Sequence, residues 1–354
     1  TAQPGPTPRL RLFLRFYLYC NAGSRYNYPV FLRKGAAAMR ISTRRRAVCL
    51  ALCLALLTAC GNTAAASTAP AAQSAADEQP EPTPPADPYR APAPALSEFH
   101  QDAAIGTAAV GIDVSCVNQG YVAVSATDDA RLKFQVECGG TKYNYDLPGD
   151  GTPASFPLQM GDGTYSFRVL ENTSGTKYAV IYETSASVTL DDEFQPYIRP
   201  SEMVNYTADS ACVAKAAELA QMAGDDAGVA AQVFAYVTQN ITYDSAKAAS
   251  VEDGYLPDPD ATLAAGTGIC YDYAALTAAM LRSQGIPAKL ITGYVEPGEI
   301  YHAWNMIWLE NTGWITVGFE APAHSWQRID TTFAAGAGAD FTGDGTSYTD
   351  RYTY

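Results

Sequence analysis

The stretch that most limits the fold is Gly266-Thr-Gly-Ile-Cys270-Tyr-Asp-Tyr, which runs on through alanines, leucines and a methionine to Arg282-Ser-Gln-Gly285-Ile-Pro287. Two glycines lead into a cysteine, helix formers follow, and a glycine and a proline close the run. Glycine takes the left-handed conformation that ends a helix, and proline cannot continue one. The pattern predicts a helix with Cys270 in its first turn, Gly285 as its cap and Pro287 as its stop. Tyr273, Leu276, Thr277 and Met280 recur at helical spacing and predict one packed face. A thiol at a helix start lies beside N–H groups that have no intrahelical partner, at the positive end of the helix dipole. Such a place favours the thiolate, and the same N–H groups can hold an oxyanion. A structural cysteine that happens to begin a helix is the competing reading.

Downstream residues separate the two. A short apolar strand ends in Gly293-Tyr-Val295, then comes Tyr301-His302-Ala303-Trp304-Asn305, and later Trp314 and Ser325-Trp326-Gln-Arg-Ile-Asp330-Thr-Thr. A thiol that attacks a carbonyl needs an imidazole to take and return a proton, and a third group to orient that ring. The chain has three histidines, His100, His302 and His324. His100 borders a proline-rich segment and reads as a solvated surface residue. His324 lies in a loop-like run and is the reserve candidate. His302 sits on a strand-like segment among Tyr301, Ala303 and Trp304.

The order of signals over residues 205–335 resembles the transglutaminase-like superfamily: a Gly-x-Cys helix, the Arg282 to Pro287 turn, a Gly-Tyr strand, His-Ala-Trp, then Trp-x-x-x-Asp. The resemblance implies a papain-like α+β fold with Cys270 as nucleophile, His302 as general base and acid, and Asp330 as the orienting carboxylate. It implies no cofactor. Where the family often has Asp-Pro-Thr, this chain has Asp330-Thr-Thr. Tyr243 is a candidate active-site aromatic, with helix-end packing as its alternative. The second oxyanion donor has no signal in the sequence. No Cys/His spacing reads as a metal site, and Gly266-x-Gly268 lacks the lysine of a phosphate-binding loop.

The rest of the chain frames that unit. Residues 1–38 carry neither methionine nor acid and read as an upstream extension outside the working protein. Residues 39–59 have a basic start, a short apolar run and the ending Leu57-Thr-Ala before Cys60, a secretory signal whose last residues look like a lipobox. That predicts lipid attachment at Cys60, extracytoplasmic localisation and a membrane held through the lipid. Residues 60–98, rich in Ala, Pro and Ser, predict a disordered linker.

Residues 99–197 alternate apolar and polar with recurring turns, the pattern of an all-β immunoglobulin-like sandwich. The Gly149-Asp-Gly151 and Gly161-Asp-Gly163 runs read as hairpin turns. Cys116 and Cys138 are candidates for a disulfide, and Cys212 reads as a small buried helix residue. Residues 198–354 make the transglutaminase-like domain, with helices at Ser210–Ala223 and Asp226–Asn240, a loop from Tyr255 to Leu263, and a tail that adds a closing strand.

Past residue 59 the chain holds 13 basic against 37 acidic groups, a net charge of −24. So negative a surface excludes nucleic acid as a partner. The resulting expectation is a lipid-anchored thiol acyl-transfer enzyme acting on protein or peptide, cell-wall-associated substrates included, by crosslinking, deamidation or hydrolysis. The alternative is a catalytically inactive cell-surface protein that binds through its β-sandwich.

Overall fold

The structure is a computed structural model that describes residues 84–295, 300–309, 315–316, 319–320, 325–329 and 348–354. Residues 82–354 form one compact unit. The expected extension, signal segment and lipidated Cys60 lie outside the described residues, as do His324 and Asp330.

The N-terminal part is β-rich. Strands β1 (Ile105–Gly106), β2 (Val110–Asp113), β3 (Tyr121–Ala126) and β6 (Ala154–Pro157) form one antiparallel sheet in the order β1-β2-β3-β6. Strands β4 (Leu132–Cys138), β5 (Thr141–Leu147), β7 (Gly163–Ser174) and β8 (Lys177–Val188) form a second, in the order β5-β4-β7-β8. Alternation decides what faces inward: Leu132, Phe134 and Val136 of β4 are buried while Lys133 and Gln135 are not. The Phe134 and Phe156 rings meet across the sheets with centroids 4.8 Å apart, as do Tyr145 and Phe156. The Asp-Gly runs are not hairpins. Each links a strand of one sheet to a strand of the other, from β5 to β6 and from β6 to β7. The tight turn between β4 and β5 falls instead on Gly139 and Gly140, both with positive φ, which a two-residue hairpin requires and only glycine adopts freely.

Of the expected linker at 60–98, residues 84–98 belong to the described fold. From residue 84 the segment is docked, because it carries two anchors that a spacer lacks. The Tyr89 N–H donates to the Ala223 carbonyl at 2.7 Å and its hydroxyl to the Gln284 carbonyl at 2.9 Å. Leu96 packs on the core, and its carbonyl accepts from the Arg199 guanidinium at 3.0 Å.

The C-terminal part is α+β. Helices α1 (Ala211–Ala220) and α2 (Asp226–Asn240) fall where the periodicity places them. After β9 (Thr242–Tyr243) come α3 (Ser245–Ser250), α4 (Pro259–Ala265), β10 (Thr267–Gly268) and α5 (Cys270–Ser283). Helix α4 lies in the segment expected to be a loop. Its start is set by Asp258, whose carboxylate accepts the Ala261 N–H, and by Pro259 in the first helical position, where a missing N–H costs nothing. Strands β11 (Ala288–Val295), β12 (Ile300–Leu309), β15 (Ser325–Ile329) and β16 (Tyr348–Thr353) make an antiparallel sheet in the order β15-β12-β11-β16, so the tail does add a strand. Two short strands, β13 (Ile315–Thr316) and β14 (Phe319–Glu320), pair with each other.

Helix α5 is the axis of this part. The sequence predicted one packed face, but every residue from Asp272 to Ser283 is buried. The reason lies in the four alanines 274, 275, 278 and 279, small enough for neighbouring elements to close on the flanks that would otherwise face water. The helix ends as predicted. Gly285 has φ +75°, its N–H donates to the Arg282 carbonyl, and the Ile286 N–H donates to the Leu281 carbonyl, the paired bonds of a Schellman cap.

Leu276 is fully enclosed on α5. Leu276→Ala is expected to cost about 3 kcal/mol through lost burial and the cavity left behind. Urea unfolding followed by tryptophan fluorescence reads this as a lower midpoint with an unchanged slope. A midpoint equal to that of the parent chain would remove α5 from the core.

Candidate active site

Each glycine before the cysteine has its own reason. Gly266 closes α4 at φ +64°, in the left-handed region. Gly268 has no space for a side chain, since a Cβ there would lie 2.6 Å from Cβ of Asp272. Between them the chain forms a short parallel ladder in which Thr267 pairs with Thr242 and Gly268 with Tyr243. The ladder carries Tyr243 to the side of Cys270. Burial lifts the Tyr243 hydroxyl to about 12, and negative charge on the neighbouring Cys270 sulfur adds to the lift.

Cys270 itself is half-buried, a free thiol in the first position of α5. The first intrahelical bond runs from the Tyr273 N–H to the Ile269 carbonyl. The N–H groups of Cys270 and Tyr271 precede it and point out of the helix end, as at any helix start. Asp272 occupies the third helical position, where its carboxylate accepts the Ile269 N–H at 2.8 Å. The Lys247 ammonium lies 2.7 Å from the same carboxylate, and the Tyr255 hydroxyl donates to its other oxygen. None of these three residues was singled out from the sequence. An acid three residues after a helix cap was a readable signal; Lys247 and Tyr255 became readable only once the chain was folded.

His302 lies on β12 and is buried. Its ring stacks near Trp304, with centroids 6.3 Å apart and planes 21° apart. Along β12, Ala303, Ile307 and Leu309 join the core around α5, while Trp304 packs with Ile291 and Met306 on the alternate face. Alternation puts His302 on the Trp304 side. The direction of β12 relative to α5 is fixed by two ties. Asn305 Nδ2 donates to the Ala274 carbonyl at 3.0 Å, and Arg282 Nε donates to the carbonyl of Ala288, which pairs with Ile307. The cysteine end of α5 therefore lies toward the Tyr301–His302 end of β12. Asn305 was another residue that sequence reading passed over. Asp330 lies outside the described residues, so its relation to His302 is not part of this geometry.

Cys116 and Cys138 are both free thiols, which corrects the expected disulfide. Cys138 ends β4 and pairs with Thr141 and Tyr165 in the second sheet. Cys116 belongs to the β2–β3 connection of the first sheet, with its sulfur 3.9 Å from His100 Nδ1. The same His100 nitrogen lies 2.9 Å from the Asp113 carboxylate, which is buried while the His100 ring stays exposed. Cys212 is buried in α1, as expected.

The Tyr271 hydroxyl, on the residue after Cys270, donates to Met203 Sδ at 2.7 Å, and burial lifts it well above the ordinary tyrosine range. Next to Met203, both carboxyl oxygens of Glu202 are sealed from solvent with no hydrogen-bond partner among the described residues.

The helix, the ladder and the strand beside them define the class: an α+β domain that presents a cysteine at a helix start. Residues 213–319 match the family model described as the transglutaminase-like superfamily, and this segment is a transglutaminase-like domain. No curated protein matches the chain. Among solved structures it is similar to a candidate cysteine protease from Cytophaga hutchinsonii, at 16% identity and TM-score 0.36 over 71% of this chain and 73% of that one. It is also similar to the periplasmic domain of TgpA from Pseudomonas aeruginosa, at 16% identity and TM-score 0.30 over 67% of this chain and 99% of that one. A third similarity is to red sea bream transglutaminase, at 15% identity and TM-score 0.28 over 62% and 49%. Scores this low leave the family match as the comparison that bears on the chain.

Burial, with the Asp146 charge behind it, raises the Glu202 carboxyl from the ordinary 4.5 to about 8, while Lys133 opposes the rise. The folded protein then holds a proton that the unfolded chain releases above 4.5. Stability on this account falls as pH rises from about 4.5 to 8. Glu202→Gln is expected to match the parent below pH 4.5 and to exceed it above pH 8, by up to about 5 kcal/mol. Urea midpoints across that range measure the difference, and curves that stay parallel at every pH would refute it.

Proposed function

We propose that the protein is an extracytoplasmic, lipid-anchored thiol acyl-transfer enzyme in which Cys270 is the nucleophile, His302 the proton carrier and Asp330 the group that orients the ring. The observation that carries this reading is the placing of Cys270: a free, half-exposed thiol at the start of an otherwise enclosed helix, beside Tyr243 and the unpaired N–H groups of the first turn. The direction of β12 supports it by bringing the His302 end of the strand toward the same helix start. On this reading the imidazole meets the sulfur beyond the first turn of α5, not beneath its flank, because Ala303 and not His302 faces the helix.

His302 takes the thiol proton as sulfur bonds to the carbonyl carbon of a carboxamide, and the resulting oxyanion lies against the Cys270 and Tyr271 N–H groups. The C–N bond then breaks, the imidazolium proton leaves with the amine, and a thioester remains on Cys270. Attack by a second amine gives crosslinking, and attack by water gives deamidation or peptide hydrolysis; each returns the thiol. Tyr243 forms one wall of the cleft. The substrate is a protein or peptide. The sheet orders β1-β2-β3-β6 and β5-β4-β7-β8 support an immunoglobulin-like reading of the β-rich part. The lipid anchor rests on the Leu57-Thr-Ala-Cys60 ending.

Two experiments test the proposal. The parent chain should release p-nitrophenolate from p-nitrophenyl acetate, and Cys270→Ala and His302→Gln should each lower that rate by at least about a thousandfold. Equal rates in parent and Cys270→Ala would return the protein to the binding-module alternative. Expressed in a bacterium fed labelled palmitate, the full chain should carry label and partition with membranes, whereas Cys60→Ser should do neither. Label retained by Cys60→Ser would sink the anchor.

A further inference from the structure

Lys247 stands on an element with little else to hold it. Helix α3 buries none of its six residues. It follows directly from the Tyr243 wall, where the Asp244 N–H donates to the Gly268 carbonyl at 2.9 Å and the Asp244 carboxylate accepts the Lys247 N–H at 2.8 Å. From there the Lys247 side chain turns back into the protein. Its ammonium lies 2.7 Å from Asp272 Oδ2 and 2.6 Å from the Tyr255 hydroxyl, and 4.4 Å from the centre of the Tyr255 ring.

The acceptor at the centre is fully enclosed: Asp272 is 0% exposed. Its carboxylate collects three donors from three segments, the Ile269 N–H, the Lys247 ammonium and the Tyr255 hydroxyl. Behind it Gly268 leaves only the room that Asp272 Cβ already fills. Burial alone would lower the Lys247 ammonium, but its bonds to Asp272 and Tyr255 outweigh burial and raise it, so it stays charged at neutral pH. An enclosed carboxylate that loses the cation paired with it is strongly unfavourable, and among the described residues Lys247 is the cation paired with Asp272. By turning toward water the carboxylate regains solvation, and doing so releases the Ile269 N–H, the group immediately before Cys270.

We propose, resting on the thiol-transfer reading, that Lys247 is a positioning residue for Cys270. It keeps the Asp272 carboxylate on the Ile269 N–H and so fixes the direction in which the sulfur leaves the first turn of α5. Lys247 touches neither the sulfur nor the reacting carbonyl; it acts through Asp272.

Iodoacetamide alkylation with peptide mapping reads each thiol separately, and Cys212, fully buried in α1, reports opening of the fold. In Lys247→Met, Cys270 should alkylate between about ten- and a hundredfold more slowly than in the parent chain, the scale of a small misplacement of a reacting group, while Cys212 stays protected. Lys247→Arg, which keeps the cation, should recover most of the rate. In p-nitrophenyl acetate hydrolysis the Lys247→Met loss should fall on kcat and leave KM unchanged. A Cys270 that alkylates at the parent rate in Lys247→Met, with Cys212 protected, overturns the proposal. If Lys247→Met exposes Cys212, Lys247→Gln decides, since it removes the cation and keeps a polar side chain of similar reach beside Asp272. A slowed Cys270 with Cys212 protected then supports the positioning role, and an unchanged Cys270 overturns it. Absence of Cys270-dependent hydrolysis in the parent chain would sink the thiol-transfer reading alone, because the alkylation comparison judges Lys247 without it.

Discussion

A helix enclosed on every side has to satisfy its two ends from within the protein. Solvent cannot reach the last carbonyls, and each one left bare costs about as much as a lost hydrogen bond. Helix α5 meets this demand differently at its two ends. At the C-terminal end the Schellman bonds of Gly285 and Ile286 close the turn, and the buried Arg282 guanidinium ties three carbonyls together, those of Ala288, Arg199 and Tyr354. Burial lowers Arg282 to about 10, which still leaves it charged at neutral pH. One side chain thus fastens the end of α5 to the start of β11, to the segment leaving the β-rich part, and to the end of the described chain. At the N-terminal end Asp272 takes the Ile269 N–H, and the next N–H groups are left for the site.

That division explains why the cysteine sits where it does. The interior of α5 is immobilised by core packing, so its first turn is a fixed platform and not a fraying end. A nucleophile gains from such a platform because the reacting geometry is set before substrate arrives. The tie from Asn305 to the Ala274 carbonyl fixes β12 against the same helix. Across the strand pair, Gly293 lies opposite His302, and a Cβ there would meet the Thr349 carbonyl at 2.1 Å. The Gly-Tyr dipeptide of β11 is therefore a packing necessity that admits β16 beside β11.

Much of the site was legible in the chain because its signals are local. Two glycines, a cysteine, an alanine-rich run and a Gly-x-Pro stop define α5 with both ends, and the left-handed Gly285 appears where the sequence places it. The helices at 211–220 and 226–240 are legible for the same reason: three- and four-residue periodicity needs no knowledge of neighbours. The errors came from non-local facts. The Asp-Gly runs look like hairpins until the sheet to which each strand belongs is known. Cys116 and Cys138 look like a pair until the folded chain shows both as free thiols, the Cys116 sulfur 3.9 Å from His100 Nδ1. Residues 84–98 look like spacer until Tyr89 finds the Gln284 carbonyl, 195 positions away.

What the sequence determined by itself is the place of Cys270 at the start of a helix. A helix start is written in a handful of adjacent residues, and the dipole and unpaired N–H groups at that start follow from backbone geometry alone. What only the tertiary structure decided is how that start is held: which carboxylate caps it, which cation balances that carboxylate, and which tyrosine flanks the sulfur. Lys247, Tyr255 and Asp272 are 8 and 17 positions apart. No periodicity or turn rule relates such residues. Burial does, because a charge taken out of water must find its partner wherever the folded chain happens to bring one.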